Sequence, residues 1–284
     1  MMDFNSKRFP TIAEIQQKAQ KPNWRTQGNW LARYWARPSA VFGTWLSVRV
    51  GLSPNYITAL AAISWMTEGI LIASGQTDLF LTAVAFGFLG FWLDHVDGQV
   101  ARYTNEASLE GIYFDFWMHT AHFMIRGFCI GWGLFQFTGE PLFAISGFLT
   151  GWGWLMLSQE NDARYKAIFA YLAKSDQQFV TNNLKAESPE TAASPTLQHG
   201  VKNIITGITR LQEPHNTLCM ELLIGILLKL HFISGIWAWK LILIFWATSA
   251  PVLAVARLVR TIRRSRVSAD FANLFLKADE MKEL

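Results

Sequence analysis

The chain has 284 residues, of which 51% are apolar and only 16% are charged. Soluble domains carry about a quarter charged residues, so this composition favours a membrane protein. The net charge of +4 is too small to indicate a nucleic-acid partner, and the two cysteines provide neither a disulfide framework nor a zinc-binding spacing.

The N-terminal segment, residues 1–50, begins without the apolar core of a secretory signal. Within it, residues 29–50 combine Trp, Leu, Tyr and Phe side chains with Arg33, Arg37 and Arg49. This pattern predicts an amphipathic helix that lies in the membrane interface on aromatic anchors. An ordinary helix packed against the rest of the domain is the alternative interpretation.

Long apolar segments follow, and a helix needs about 20 mostly apolar residues to cross a bilayer. Ser53 and Pro54 form a typical helix start before the first segment, while Gly75 and Gly139 mark tight turns after the first and third. The sequence therefore predicts an all-α, polytopic membrane protein with six transmembrane helices within residues 51–262. Their approximate bounds are 56–74, 78–102, 111–137, 140–158, 216–235 and 236–258.

Two polar segments lie outside the predicted spans. Residues 160–215 form a predicted cytoplasmic connection, in which 185–195 has the composition of a disordered stretch. Residues 263–284 form a basic and amphipathic cytoplasmic tail, which we expect to lie on anionic lipid.

The distribution of basic residues predicts the orientation. The N-terminal segment, the connection that begins at Arg102, residues 160–215 and the residues from Arg257 onward together contain 22 of the 25 Lys and Arg residues. The positive-inside rule places all of these segments on the cytoplasmic side. We therefore expect a multi-pass integral membrane protein with both termini in the cytoplasm.

Three carboxylates lie near the cytoplasmic ends of the second and third predicted spans. Asp94 and Asp97 share one helix face, and Asp115 begins a polar stripe that continues through His119. Acidic residues within membrane helices are costly, so each is a functional candidate. Because the two helices are antiparallel and joined by a short connection, we expect the carboxylates to converge in a cytoplasm-facing cavity.

Carboxylates with open coordination positions suit Mg²⁺ or Mn²⁺, which neutralise a diphosphate and help a leaving phosphate to depart. Gly98 would let a nucleotide approach the backbone, and Arg102 offers a planar donor group for phosphate. The alternative is that these polar residues only join two helices, but three intramembrane carboxylates without a lysine would be costly for that purpose. Glu68 and Glu221 also fall in predicted spans and receive no role.

The residues from 94 to 119 read Asp-x-x-Asp-Gly-x-x-Ala-Arg, then eight residues, then Gly-x-x-x-Asp-x-x-x-His. This pattern is similar to the signature of the CDP-alcohol phosphotransferase (CDP-alcohol phosphatidyltransferase) family, which ends in Asp where this chain has His119. Residues 52–58 resemble that family's entry to its first span. With the six spans and the amphipathic helix, the resemblance covers roughly residues 30–260.

The resemblance implies a role for each matching position. Asp94, Asp97 and Asp115 would bind two metal ions, and His119 occupies the place of the group that deprotonates the attacking alcohol. The resemblance also implies a homodimer. The residues expected to contact CDP are Gly98, Ala101 and Arg102, with Asn55, Thr58 and Ser108 as weaker contacts.

His119 is the position at which the chain departs from the signature. An imidazole, with an ordinary pKa near 6.5, is a competent base at neutral pH, so we expect His119 to be the general base. The alternative is that loss of the carboxylate weakens the second metal site. The chain would then be an inactive relative that binds CDP-lipid as a scaffold or regulator. His122 and Arg126, further along the same stripe, receive no role.

The expected activity is transfer of a substituted phosphate from a CDP-linked donor to a small alcohol, with release of CMP, in phospholipid biosynthesis. CDP-diacylglycerol is the expected donor because the fold faces lipid, whereas no residue selects the alcohol. A divalent-cation transporter is a further alternative, but it would leave Gly98, Ala101 and Arg102 without an explanation.

Overall fold

The computed structural model describes residues 9–175, 179–181 and 197–277, and most of these residues are helical. The α-helices in these ranges are α1 (Ile12–Ala19), α2 (Arg37–Val50), α3 (Pro54–Ala73), α4 (Thr77–Thr104), α5 (Leu109–Thr138), α6 (Pro141–Lys174), α7 (Leu197–Leu211), α8 (Pro214–Lys229), α9 (Ile233–Arg263) and α10 (Arg266–Leu274).

Two other kinds of element occur outside these helices. A π-helix, Ala32–Ala36, leads directly into α2. Two short strands, β1 (Phe179–Thr181) and β2 (Phe275–Lys277), pair antiparallel and join the segment after α6 to the segment after α10. The described residues are therefore mostly helical, with one short strand pair that the sequence did not predict.

Among the described residues, four helices are long and apolar enough to cross a membrane, namely α3, α4, α6 and α9. Helix α5 has 30 residues but carries Glu110, Asp115 and Arg126, which lower its hydropathy. Helix α8 has only 16 residues, fewer than the roughly 20 that a span requires. The assignment of α5 and α8 as the remaining two of six spans therefore stays a prediction.

Local sequence signals account for several helix ends. Helix α3 begins at Pro54 after an extended Ser53, as expected. Gly75 and Gly139 adopt φ angles of 72° and 75°, a region that glycine enters without steric cost, so both predicted turns are confirmed. Helix α6 continues to Lys174, beyond the predicted end of the fourth span, because neither glycine nor proline interrupts it after Gly153.

Some predictions fall on residues that the structure leaves undescribed. The predicted disordered stretch, 185–195, lies wholly outside the described residues, and so do residues 278–284 of the predicted tail.

The helices pack side by side in a definite order. Helix α3 contacts α4 and α5, α5 contacts α6, α6 contacts α9, and α8 contacts both α4 and α9. Gly127 and Gly131 of α5 face Gly151 and Gly147 of α6 so closely that a β-carbon on any of them would strike the opposite backbone. Small residues at four-residue spacing on both helices allow this approach, as is common in membrane proteins.

The N-terminal elements pack on the end of α4 that carries the acidic motif. Ile15 and Ala19 of α1 are buried with Val41 of α2. The Nε atom of Arg102 on α4 donates a hydrogen bond to the carbonyl oxygen of Ala19, at 2.6 Å. Tyr34, like several apolar side chains of α2, remains exposed. The structure thus contains a helix where one was expected, while its position in a membrane interface stays a prediction.

Candidate active site

Helices α3, α4 and α5 enclose a cavity of about 430 Å³, which we call the outer cavity. Residues of the N-terminal segment and of the α4–α5 connection complete its wall. Of the ten site residues predicted from the sequence, all but Arg102 line it. These nine residues are Asn55, Thr58, Asp94, Asp97, Gly98, Ala101, Ser108, Asp115 and His119.

The side chains of Asp94, Asp115 and His119 lie close together. The Nε2 atom of His119 is 2.9 Å from Oδ1 of Asp94 and 3.5 Å from Oδ1 of Asp115. One ligand atom from each residue lies within 4.8 Å of the others, so the three together fit a divalent cation. Asp115 and His119 are four residues apart on α5, so the geometry of the helix places them on one face. That face lies opposite Asp94 of α4.

Asp97 lines the same cavity but lies outside this closely spaced group. Its Oδ2 atom accepts a hydrogen bond from the hydroxyl of Thr58 at 2.6 Å, and its Oδ1 atom accepts from the backbone N–H of Gly98. The carboxylate is only 7% exposed. The two donors hold Asp97 in one orientation, and Thr58, predicted as a nucleotide contact, is hydrogen-bonded to it.

The rim of the outer cavity is formed by the start of α5 and the start of α3. Ser108 caps α5, because its hydroxyl oxygen accepts a hydrogen bond from the N–H of Gly111 at 3.0 Å. A β-carbon on Gly111 would lie 3.1 Å from Oδ1 of Asn55, so glycine lets the two helices approach at the rim. Ser108 and Asn55 are thereby placed side by side.

Two basic residues lie at one side of the outer cavity. Arg102 lines a smaller adjoining cavity of about 90 Å³ rather than the outer cavity itself. Lys21 lines both cavities and adds a positive charge that the motif does not contain. Sequence reasoning missed Lys21 because no regular spacing connects it to the acidic motif.

A third cavity, of about 300 Å³, lies on the other side of the acidic cluster, and we call it the inner cavity. Asp94 and His119 line it as well as the outer cavity. Its remaining wall is aromatic, charged and rich in histidine. These residues include Trp65, Glu68, Phe91, His95, His122, Phe123, Arg126 and His215.

Buried charges that the sequence left without a role meet beside the inner cavity. The Nη2 atom of Arg126 lies 2.8 Å from Oε2 of Glu221, and its Nε atom lies 3.6 Å from Oε1 of Glu68. Since the three residues belong to α5, α8 and α3, their spacing in the sequence gives no indication that they meet. Three residues that appeared unrelated therefore form one cluster.

The comparison with protein families gives one match. Residues 51–171 match the family model described as CDP-alcohol phosphatidyltransferase. This range comprises α3, α4, α5 and most of α6, and it contains all ten site residues predicted from the sequence. No curated protein gives a match to the sequence. The resemblance inferred from positions 94–119 is thereby confirmed.

Proposed function

Because residues 51–171 match the CDP-alcohol phosphatidyltransferase family model, we propose that this protein transfers a phosphatidyl group from CDP-diacylglycerol to a small alcohol and releases CMP. The observation that carries this proposal is the convergence of Asp94, Asp97, Asp115 and His119 on one cavity. The choice of a lipid donor is supported by four helices that are long and apolar enough to lie in a bilayer.

The transfer exchanges one bond at the β-phosphorus of the donor. The acceptor hydroxyl oxygen bonds to that phosphorus, the bond to the oxygen of CMP breaks, and CMP leaves with the electron pair. His119, as general base, takes the hydroxyl proton. An ionised Asp94 can only accept the 2.9 Å hydrogen bond from Nε2 of His119. The ring must therefore turn away from Asp94, or use its other nitrogen, to receive the proton.

Asp94, Asp97 and Asp115 are the residues that would hold two divalent cations, Mg²⁺ or Mn²⁺. The close approach of ligand atoms from Asp94 and Asp115 supports this role for these two residues, and Asp97 lines the same cavity. When bound, the cations would supply neutralising charge for the diphosphate of the donor. Thr58 would keep Asp97 correctly turned for the same purpose.

The nucleotide part of the donor would lie in the outer part of the site. Gly98 and Ala101 line the cavity without bulky side chains, and Asn55 and Ser108 offer polar groups at the rim. Arg102 would contribute positive charge from the adjoining cavity.

We further propose that α3, α4, α5, α6, α8 and α9 are the six spans. The outer cavity and both termini would then face the cytoplasm, as the placement of basic residues supports. A homodimer is the assembly that the family resemblance implies.

Release of CMP by the purified protein in lipid tests the proposed function. With CDP-diacylglycerol, Mg²⁺ or Mn²⁺ and a panel of alcohols, the wild type should release CMP only when a suitable alcohol is present. Asp94→Asn should lower the rate by about 100-fold or more, because Asp94 lies at the centre of the acidic cluster. Asp78→Asn, at an exposed acid in the first turn of α4, serves as the control. Undiminished activity of Asp94→Asn would overturn the assignment.

A protein that binds CDP-lipid without turnover is the second candidate, and His119 in place of the signature's last Asp favours it. This candidate predicts that the wild type binds CDP-diacylglycerol but releases no CMP with any alcohol. It also predicts that His119→Asp gains turnover, because the other signature residues are in place.

A further inference from the structure

The inner cavity is placed to receive the second substrate of the transfer. Its volume of about 300 Å³ is at the lower end of the range for small-molecule sites, roughly 300–1,000 Å³. Asp94 and His119 separate it from the outer cavity. A small molecule in the inner cavity would therefore present a hydroxyl group to the same two side chains that the donor meets from the other side.

Two glycines of α4 make room for the wall of this cavity. A β-carbon on Gly87 would strike the carboxylate of Glu68, and a β-carbon on Gly90 would lie 2.5 Å from the ring of Trp65. The two glycines are three residues apart, so they lie on one face of the helix. The same helix face continues toward Asp94. Because glycine has no side chain, the carboxyl group of Glu68 and the ring of Trp65 pack against this face and line the cavity.

The single guanidinium at this cavity is already engaged. The Nη1 atom of Arg126 donates to the hydroxyl of Thr217 at 2.9 Å, and its Nη2 atom lies 2.8 Å from Glu221. Its Nε atom faces Glu68 at 3.6 Å. A phosphate group would have to displace these partners and would also approach the carboxyl group of Glu68, so the cavity disfavours an anionic acceptor.

Glu68 lacks a hydrogen bond that it would be expected to make. It is 1% exposed, and within the described part of the chain its Oε1 atom has no hydrogen-bond partner. One guanidinium faces two buried carboxyl groups, those of Glu68 and Glu221. Burial of a polar atom without a hydrogen-bond partner is costly, and a protonated amine would supply the missing donor to Oε1 of Glu68.

Aromatic rings complete the recognition of a cation. Trp65, Phe91 and Phe123 line the inner cavity together with Glu68. The ring of Trp65 stacks on His122 with centroids 4.5 Å apart, which fixes its orientation. Ring faces attract ammonium and quaternary ammonium groups, and this attraction increases when water is excluded.

We propose that the inner cavity binds the acceptor alcohol, and that this acceptor is a small amino alcohol without a phosphate group. Its ammonium group lies at Glu68 among the aromatic rings, and its hydroxyl group points to Asp94 and His119. The proposal rests on the proposed function, because it assigns the second substrate of that reaction.

Acceptor selectivity of the wild type is the first test. CMP release from CDP-diacylglycerol is compared for ethanolamine, serine and choline, for the uncharged alcohols glycerol and inositol, and for glycerol 3-phosphate and inositol 1-phosphate. We expect kcat/KM for the best amino alcohol to exceed that for every phosphate-bearing alcohol by at least about 10-fold, since the latter must displace the partners of Arg126 and approach Glu68. Preference for a phosphate-bearing or uncharged alcohol would overturn the proposal.

Glu68→Gln is the second test, with Glu140→Gln as its matched control. Glu140 is an exposed acid at the start of α6 whose ion pair, within the described part of the chain, is with Lys240, so its loss should change little. Glu68→Gln should raise KM for the amino alcohol by about 10- to 100-fold, because a charge-assisted hydrogen bond is lost. KM for CDP-diacylglycerol should remain unchanged, whereas general structural damage would impair both.

The outcomes separate this proposal from the function on which it rests. Equal changes in both KM values would contradict a specific role for Glu68, and so would no change in either. Release of CMP with a different class of alcohol would support the proposed transferase function and contradict the assignment of an amino alcohol as acceptor. No release with any alcohol would remove both.

Discussion

His119 is the residue on which the chemistry of this site depends. It contacts Asp94 at 2.9 Å and Asp115 at 3.5 Å, and it lies between the two larger cavities. The family signature has a carboxylate at this position, which can both bind a cation and accept a proton. An imidazole nitrogen can perform only one of these tasks at a time, so the substitution separates two roles that a carboxylate combines.

His119→Ala should lower kcat by about 10²- to 10⁴-fold, the usual contribution of a positioned general base. The Mn²⁺ concentration for half-maximal activity should stay nearly constant, and His119→Asp should retain activity. These values come from CMP release measured over a series of Mn²⁺ concentrations. Recovery of His119→Ala at high Mn²⁺ would instead show that the imidazole is a metal ligand rather than a base.

The candidate site was largely predictable at the scale of residues, because helical spacing places Asp94 with Asp97 and Asp115 with His119. The pairing of Arg126 with Glu68 was not, since partners on different helices leave no regular spacing in the sequence. The predicted position of the acidic residues within membrane helices made each of them a functional candidate. Only the packing of the helices shows which charged side chains meet.

At the scale of elements, α1 is one of the helices that sequence reasoning overlooked. Its start carries a capping box, in which Thr11 and Glu14 satisfy each other's backbone N–H groups. The Thr-x-x-Glu pattern is a recognisable helix start, so the signal was present. The segment after α1 brings Lys21 to the outer cavity, while the hydrogen bond from Arg102 to Ala19 holds the end of α1 on α4.

Lys21→Ala should raise KM for the CDP-linked donor by about 3- to 5-fold and leave kcat unchanged, because an exposed charge contributes modestly to phosphate binding. The difference should shrink at high salt, which screens exposed charges. Lys18→Ala is the control, since Lys18 lies three residues before Lys21, at the end of α1, and lines none of the three cavities. Steady-state kinetics at two ionic strengths provide both measurements.

At the scale of the whole molecule, composition and apolar runs predicted the long helices well. They did so because the need to satisfy backbone hydrogen bonds in lipid favours helices. They did not predict that α6 continues past the apolar region to Lys174, or that β1 pairs with β2. The extension of α6 depends on polar residues that remain helical beyond the apolar region. The pairing of β1 with β2 joins segments that are distant in sequence.

The six-span arrangement predicts on which side of the membrane each connection lies. In a variant without Cys129 and Cys219, single cysteines at Gln76, Glu140 and Lys174 report three positions. Cysteines replacing Gln76 and Glu140 should react with an impermeant thiol reagent from outside, and the one replacing Lys174 only after lysis. Labelling at Lys174 but not at Glu140 in intact cells would show that α5 does not cross the membrane.

Asp94 and His119 belong to the walls of both the outer and the inner cavity. A molecule in one cavity that shifts Asp94 or His119 changes the groups available to a molecule in the other cavity. Binding at the two cavities is then thermodynamically linked. Such linkage is reciprocal. A ligand in the outer cavity alters the affinity of the inner cavity for its ligand by the same factor as the inner ligand alters the affinity of the outer cavity. Two side chains shared between neighbouring cavities are thus a route by which two bound molecules can affect each other's affinity without movement of the helices.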